Sequence, residues 1–206
     1  VYIVRSVFRG NRLGMTPNSQ TQELLSPQRD NYIVGNLVVD NDNPQSPPIP
    51  RGFFGGGIAV GGGIANYVAR NRVEGHDAFG IGVLTLNPFD PESNVIEGNV
   101  VTGNRVDLAY QPSMSVTTTL ANCFADNDFG TSIPDGIEGT MPCPGSDVAI
   151  DLGELLFPRA PAGVDYRDMP APGPQPNMPG DLTVRPGPLP TKPTFPNLAL
   201  IGVPSA

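Results

Sequence analysis

Asn94-Val95-Ile96-Glu97-Gly98-Asn99-Val100-Val101-Thr102-Gly103-Asn104 decides the fold, because its pattern recurs in four other places along the 206-residue chain. Asparagine holds the first, sixth and eleventh positions, and the third and eighth are aliphatic. Working outward, the units start at Ser6, Asn31, Asn66, Asn94 and Asn122. The sixth position is always asparagine: Asn11, Asn36, Asn71, Asn99 and Asn127. The eleventh is Thr16, Asn41, His76, Asn104 or Ser132. The third is Phe8, Ile33, Val68, Ile96 or Phe124, and the eighth is Leu13, Val38, Val73, Val101 or Phe129. The starts lie 25, 35, 28 and 28 residues apart, a spacing that belongs to solenoids.

Each run between corners has room for one or two inward side chains, which suits strands and excludes helices. Asparagine tolerates the left-handed backbone of a corner, and its amide can bond the identical residue one coil away. A third strand per coil is visible at Gly57–Val60, Gly80–Leu84 and Arg105–Tyr110, with Glu23-Leu24-Leu25 a poor candidate in the first coil. The expected fold is all-β: about five three-strand parallel coils over residues 1–145, a cap segment at 146–157 and an extended proline-rich tail at 158–206.

Composition supports that division. Of 25 prolines, 13 fall between Pro158 and Pro204, while the 25 glycines crowd the first two thirds. A net charge of −8 argues against nucleic acid and against an anionic membrane surface, and no apolar run is long enough for a spanning helix. Cys123 and Cys143 fit one disulfide or two inert thiols; the acidic, lysine-poor composition favours the disulfide and an extracellular or cell-surface location. Bridged, they would staple the C-terminal end of the coils, with Cys123 pointing outward beside inward-facing Phe124.

The repeat Asn-x-Ile-x-Gly-Asn-x-Val-x-x-Asn with a following Gly-Ile-x-Val resembles those of right-handed parallel β-helices, the pectate-lyase-like superfold. More narrowly, Asn11–Ser19, Pro27–Asp30, Gly56–Val60 and Asn122-Cys123-Phe124 resemble the C-terminal half of secreted bacterial β-helix repeat proteins, a family of uncharacterised function. The resemblance covers residues 1–145 and implies further coils before Val1. Val1–Val4 is therefore expected to pair with another segment or another chain.

Candidate chemistry is sparse. His76 beside Asp77 suggests a general base, but it falls on a corner filled elsewhere by Asn, Thr or Ser, so a structural role is preferred. Polysaccharide lyases on the resembled fold use carboxylates with Ca²⁺ and an Arg or Lys base; Asp77, Asp90, Glu92, Asp107 and Arg105 are the available groups. No spacing among them supports a bound cation, and no cofactor motif is present. Tyr32 and Tyr67 share an outward position and could form an aromatic ladder that holds a sugar ring. Insertions at Asn87–Ser93 and Gln111–Ala121 should lie side by side, with Asp42–Phe54 leaving from another corner. Phe195–Val203, the most apolar part of the tail, is expected to dock on its own coils or on a second subunit. These observations point to a non-catalytic extracellular binding or structural module, or a subunit of a larger surface assembly. Its expected partners are a protein chain contacting the tail or the uncapped first coil, and a polysaccharide. The competing class is a carbohydrate-active lyase, hydrolase or epimerase whose catalytic coils lie partly outside this chain.

Overall fold

Three-residue strands separated by tight corners give the chain a regular circuit. The computed structural model describes residues 1–49, 53–112, 120–145, 158–170 and 195–206. One parallel sheet comprises β1 (Tyr2–Val4), β3 (Tyr32–Val34), β6 (Tyr67–Ala69), β9 (Val95–Glu97) and β12 (Cys123–Ala125). A second comprises β2 (Val7–Arg9), β4 (Leu37–Val39), β7 (Arg72–Glu74), β10 (Val100–Thr102) and β13 (Asp128–Phe129). The third comprises β5 (Gly56–Gly61), β8 (Phe79–Leu84), β11 (Leu108–Gln111) and β14 (Ser132–Ile133). The chain visits the three in turn, and every strand pairs in parallel with its equivalents in adjacent circuits.

The middle residue of each short strand points inward. Ile33, Val68, Ile96 and Phe124 from the first sheet meet Val38, Val73 and Val101 from the second, all without solvent exposure. Ile58, Val60, Ile81, Val83 and Leu108 complete the core from the third. Burial of each contributes about 1.5–3 kcal/mol, the main favourable term for strands this short. Gly14, Gly57 and Gly80 stack where the chain enters the third sheet. A Cβ on any of them would strike a methyl of Val38, Val73 or Val101 respectively, so the bend admits only hydrogen there.

Four expectations require correction. The positive φ of each corner falls on the residue before the asparagine, as at Arg70, Gly98 and Asp126, and not on the asparagine itself, whose part is the side-chain bonding. Tyr2 pairs with Tyr32 and Val7 with Leu37, so Ser6 is the counterpart of Asn36, not of Asn31, and Asn11 is the counterpart of Asn41. Asn11 therefore does not share a column with Asn36, Asn71, Asn99 and Asn127. Corners recur at five-residue spacing, so a slip of one corner preserves the alternation of polar and apolar residues. The third-sheet position of the first circuit is filled by Met15 and Asn18, which bridge Ile58 and Gly61; Leu24 and Leu25 are 96% and 85% exposed. Ser132 is a strand residue opposite Leu108, and the last position of its corner column is taken by the Asp107 carboxylate.

A one-turn helix, α1 (Ile137–Thr140), closes the described end of the core. Ile137 and Met141 are buried beneath Phe124, whose N–H donates to Met141 O at 2.9 Å. Cys123 and Cys143 form a disulfide across a separation of 20 residues, and Cys123, beside Phe124, is 2% exposed. The cap expected at 146–157 lies outside the described residues. Two pieces of the C-terminal region rest on their own chain: Arg12 Nη2 donates to Pro161 O at 2.7 Å, and Ile201 is buried against the first sheet. No helix among the described residues is long and apolar enough to cross a membrane.

Candidate functional site

Which polar groups remain available to a ligand depends on which ones the corners consume. Asn31, Asn66, Asn94 and Asn122 form one column, in which the Oδ1 of Asn66, Asn94 and Asn122 accepts both the backbone N–H and the Nδ2 of the asparagine one circuit earlier. Asn36, Asn71, Asn99 and Asn127 form a second in the same way. Asn71 is typical: its N and Nδ2 donate to Asn99 Oδ1 at 2.9 Å, and Nδ2 also donates to Ile33 O at 2.9 Å. The second column ends on the Glu138 carboxylate, which accepts from Asn127 N and Nδ2 at 2.8 Å. Amides bonded this fully contribute nothing to binding.

The third column runs Asn11, Asn41, His76, Asn104 and Asp107. His76 is 2% exposed; its Nδ1 lies 2.8 Å from Asn104 Oδ1 and its Nε2 lies 3.3 Å from Asn41 Nδ2. A donor facing Asn104 and an acceptor facing Asn41 define a neutral imidazole in a fixed tautomer. Burial, only partly opposed by the Asn104 bond, pushes its pKa below 6.5. The ring therefore completes an amide column.

The remaining candidates do not make one site. Asp107 is 3% exposed and accepts from Asn104 through Oδ1 and from Gly130 N, Thr131 N and Thr131 Oγ1 through Oδ2, so it terminates the column. Asp77 is exposed near Asp40 and Asp42, and it helps burial raise the Asp42 carboxyl. Asp90 accepts from the Thr85 hydroxyl in the turn after β8. Glu92 is exposed beside Ile64, and Arg105 joins the third corner through its N–H to His76 O at 3.0 Å. No group of three or more His, Cys, Asp or Glu able to hold a metal occurs among the described residues. Tyr32 and Tyr67 are in register with ring centroids 6.0 Å apart, and Tyr2 stacks on Tyr32 at 4.8 Å and 7°. Phe195 of the tail packs on Tyr2, and the Tyr67 hydroxyl donates to Glu97, so this aromatic column is already engaged by the protein's own chain.

An open groove of about 730 Å³ lies instead over the outer face of the third sheet. The sheet contributes Ala59, Gly61, Phe79 and Leu84, and the groove is bordered by Thr16, Asn18, Gln20 and Gln22 with Ile49 and Phe53, and by Thr85, Asn87 and Gln111. Phe79 is held flat beneath it, because Gly56 and Gly82 leave the space: a Cβ on either would stand 2.9 or 2.8 Å from the ring. Every described residue lining the groove is uncharged at neutral pH. It thus presents amides and hydroxyls around apolar patches, the surface that suits a neutral, polyhydroxylated ligand.

Asn87 and Gln111, from the two insertions read as neighbours, both line this groove, although residues 113–119 lie outside the described residues. The Asp42–Phe54 insertion borders it through Ile49 and Phe53. Asn18 belongs to the Asn11–Ser19 stretch that carries the resemblance, but sequence reasoning does not single it out as a binding group, nor Gln20 and Gln22; the signal for all three is the uncharged polar run Asn18-Ser19-Gln20-Thr21-Gln22. No protein-family model matches the chain, and no curated protein and no solved structure matches it either.

Proposed function

We propose that this chain is a right-handed parallel β-helix acting as a non-catalytic extracellular module, which holds a neutral polysaccharide strand in the groove over its third sheet. The supporting observation is the lining: hydroxyl and amide groups from Thr16, Asn18, Gln20, Gln22, Thr85 and Gln111, with the apolar face of Phe53 and no ionisable group among the described lining residues. Sugar hydroxyls both donate and accept, as do side-chain amides, and a ring's C–H face matches an apolar surface. Catalytic hydrolysis or elimination needs an ionisable acid or base at the bond, which these residues do not supply. The Cys123–Cys143 disulfide is compatible with an oxidising compartment.

Titration calorimetry with neutral and acidic oligosaccharides tests this reading. Neutral chains should bind, and Gln111→Ala or Asn18→Ala should weaken binding about three- to tenfold, the loss of one or two hydrogen bonds. Binding confined to acidic chains, or release of new reducing or unsaturated ends on incubation, would move the protein to the enzyme class. A sample purified from its native location should contain no titratable thiol.

A further inference from the structure

The outer face of the first sheet is apolar and aromatic over its first three strands. Its outward columns are Tyr2, Tyr32, Tyr67 on one side and Val4, Val34, Ala69 on the other. The corner that follows carries Arg5, Gly35 and Arg70 in successive circuits, all with positive φ, so glycine leaves a notch between two arginines. Ile201 fills that notch: it is 4% exposed, packs on Val34 and Ala69, and sits where a Gly35 side chain would otherwise stand. The arginines then hold the tail by its main chain. Arg70 Nη2 donates to Leu198 O at 2.9 Å, Arg5 Nη2 to Leu200 O at 3.2 Å, and Arg72 Nε to Pro204 O at 2.8 Å. Phe195 completes the contact on Tyr2.

This is the anatomy of a peptide site, with one anchor side chain in a pocket and backbone carbonyls read by fixed donors. It is also an imperfect fit, because Arg70 Nε is shielded without an acceptor. None of these contacts requires that segment and groove belong to one molecule. The 24 residues between Pro170 and Phe195 give a contour of ~80 Å at full extension, enough to reach a neighbour. We propose that the first-sheet face is an exchangeable peptide-binding groove and that residues 195–206 of a second copy are its occupant in an assembled state. In dilute solution the tethered segment wins by its effective concentration, so each chain closes on itself. The inference is independent of the groove over the third sheet.

Two full-length variants test it by complementation. Ile201→Asp spoils the segment and leaves the groove open, whereas Ala69→Glu blocks the pocket and leaves the segment intact. Ala69 faces outward against Ile201, so a longer side chain there meets the docked segment and not the core. Far-UV circular dichroism checks that both fold, and Val34→Glu replaces Ala69→Glu if that variant does not. In analytical ultracentrifugation each variant alone should sediment at the mass of one chain. Their equimolar mixture should shift toward twice that mass, and an excess of a synthetic peptide of residues 195–206 should reverse the shift. A mixture that stays at the one-chain mass, at the highest concentration where each variant is monomeric, overturns the proposal.

Discussion

Asn71 shows what the buried amides do for stability. Replacing it with Ala removes two acceptor contacts for Asn36 and the donor to Ile33 O, all without solvent to substitute. With each stranded group costing about 1–3 kcal/mol, Asn71→Ala should lower unfolding free energy by about 3 kcal/mol or more. Asn11, exposed at the end of its column, should cost about 1 kcal/mol when changed to Ala. Urea unfolding of the two variants checks the contrast. His76 makes a pH prediction. Its folded pKa lies below 6.5, so as pH falls past that value the unfolded chain takes up a proton that the folded chain refuses. Its contribution to stability is complete above about 6.5 and declines as pH drops toward the folded pKa. His76→Asn should retain the column and remove that part of the acid-side slope, measured as urea midpoints across the window. The corner identity of His76 was legible in the sequence, since Asn41 and Asn104 stand at the same place in their units.

At the scale of elements, the short strands cannot stand without their ends being closed. The helix α1 supplies Ile137 as an apolar lid and Glu138 as the last acceptor of an amide column. Glu138→Ala should therefore cost about 1–3 kcal/mol, although the residue lies outside the sheets, with thermal unfolding as the measure. The disulfide beside it closes a loop of separation 20. Cys123→Ser with Cys143→Ser should destabilise the chain by about 3 kcal/mol in the loop-entropy picture, read as a lower urea midpoint than the oxidised parent. The same elements explain where sequence reasoning slipped. Ser6, Asn11 and Thr16 repeat the five-residue spacing of the later units, so the first circuit fits two registers equally well on pattern alone. The pairing of Tyr2 with Tyr32 selects one of them, because it keeps Ile3 and Phe8 against the core and Tyr2 in the outward aromatic column.

On the scale of the whole molecule, binding surfaces are made by what lies outside the repeat. Arg12, 5% exposed, donates to Phe53 O and Ser46 O of the Asp42–Phe54 insertion and to Pro161 O of the tail. One guanidinium thereby fixes a border of the third-sheet groove. Arg12→Ala should loosen that border, raising Kd for a bound neutral oligosaccharide more than it lowers the urea midpoint. Parallel calorimetry and unfolding experiments separate the two effects. The first-sheet face has the opposite fate, since Phe195 and Ile201 of its own tail occupy it.

The sequence by itself determined the strand runs, the asparagine corners and the inward positions. These follow from local spacing: a corner needs a side chain that bonds its neighbours, and an inward position needs an apolar side chain, while the positive φ belongs to the residue before the asparagine. Tertiary structure alone decided the register of the first circuit, the burial of Asp107, the uncharged groove over the third sheet and the seat of Ile201 between Arg5 and Arg70. Each of these depends on which residues far apart in the chain meet, and the repeat pattern constrains only residues that share a unit. Outward positions look free to vary in the sequence because their partners come from the insertions and the tail, whose path the repeat does not encode.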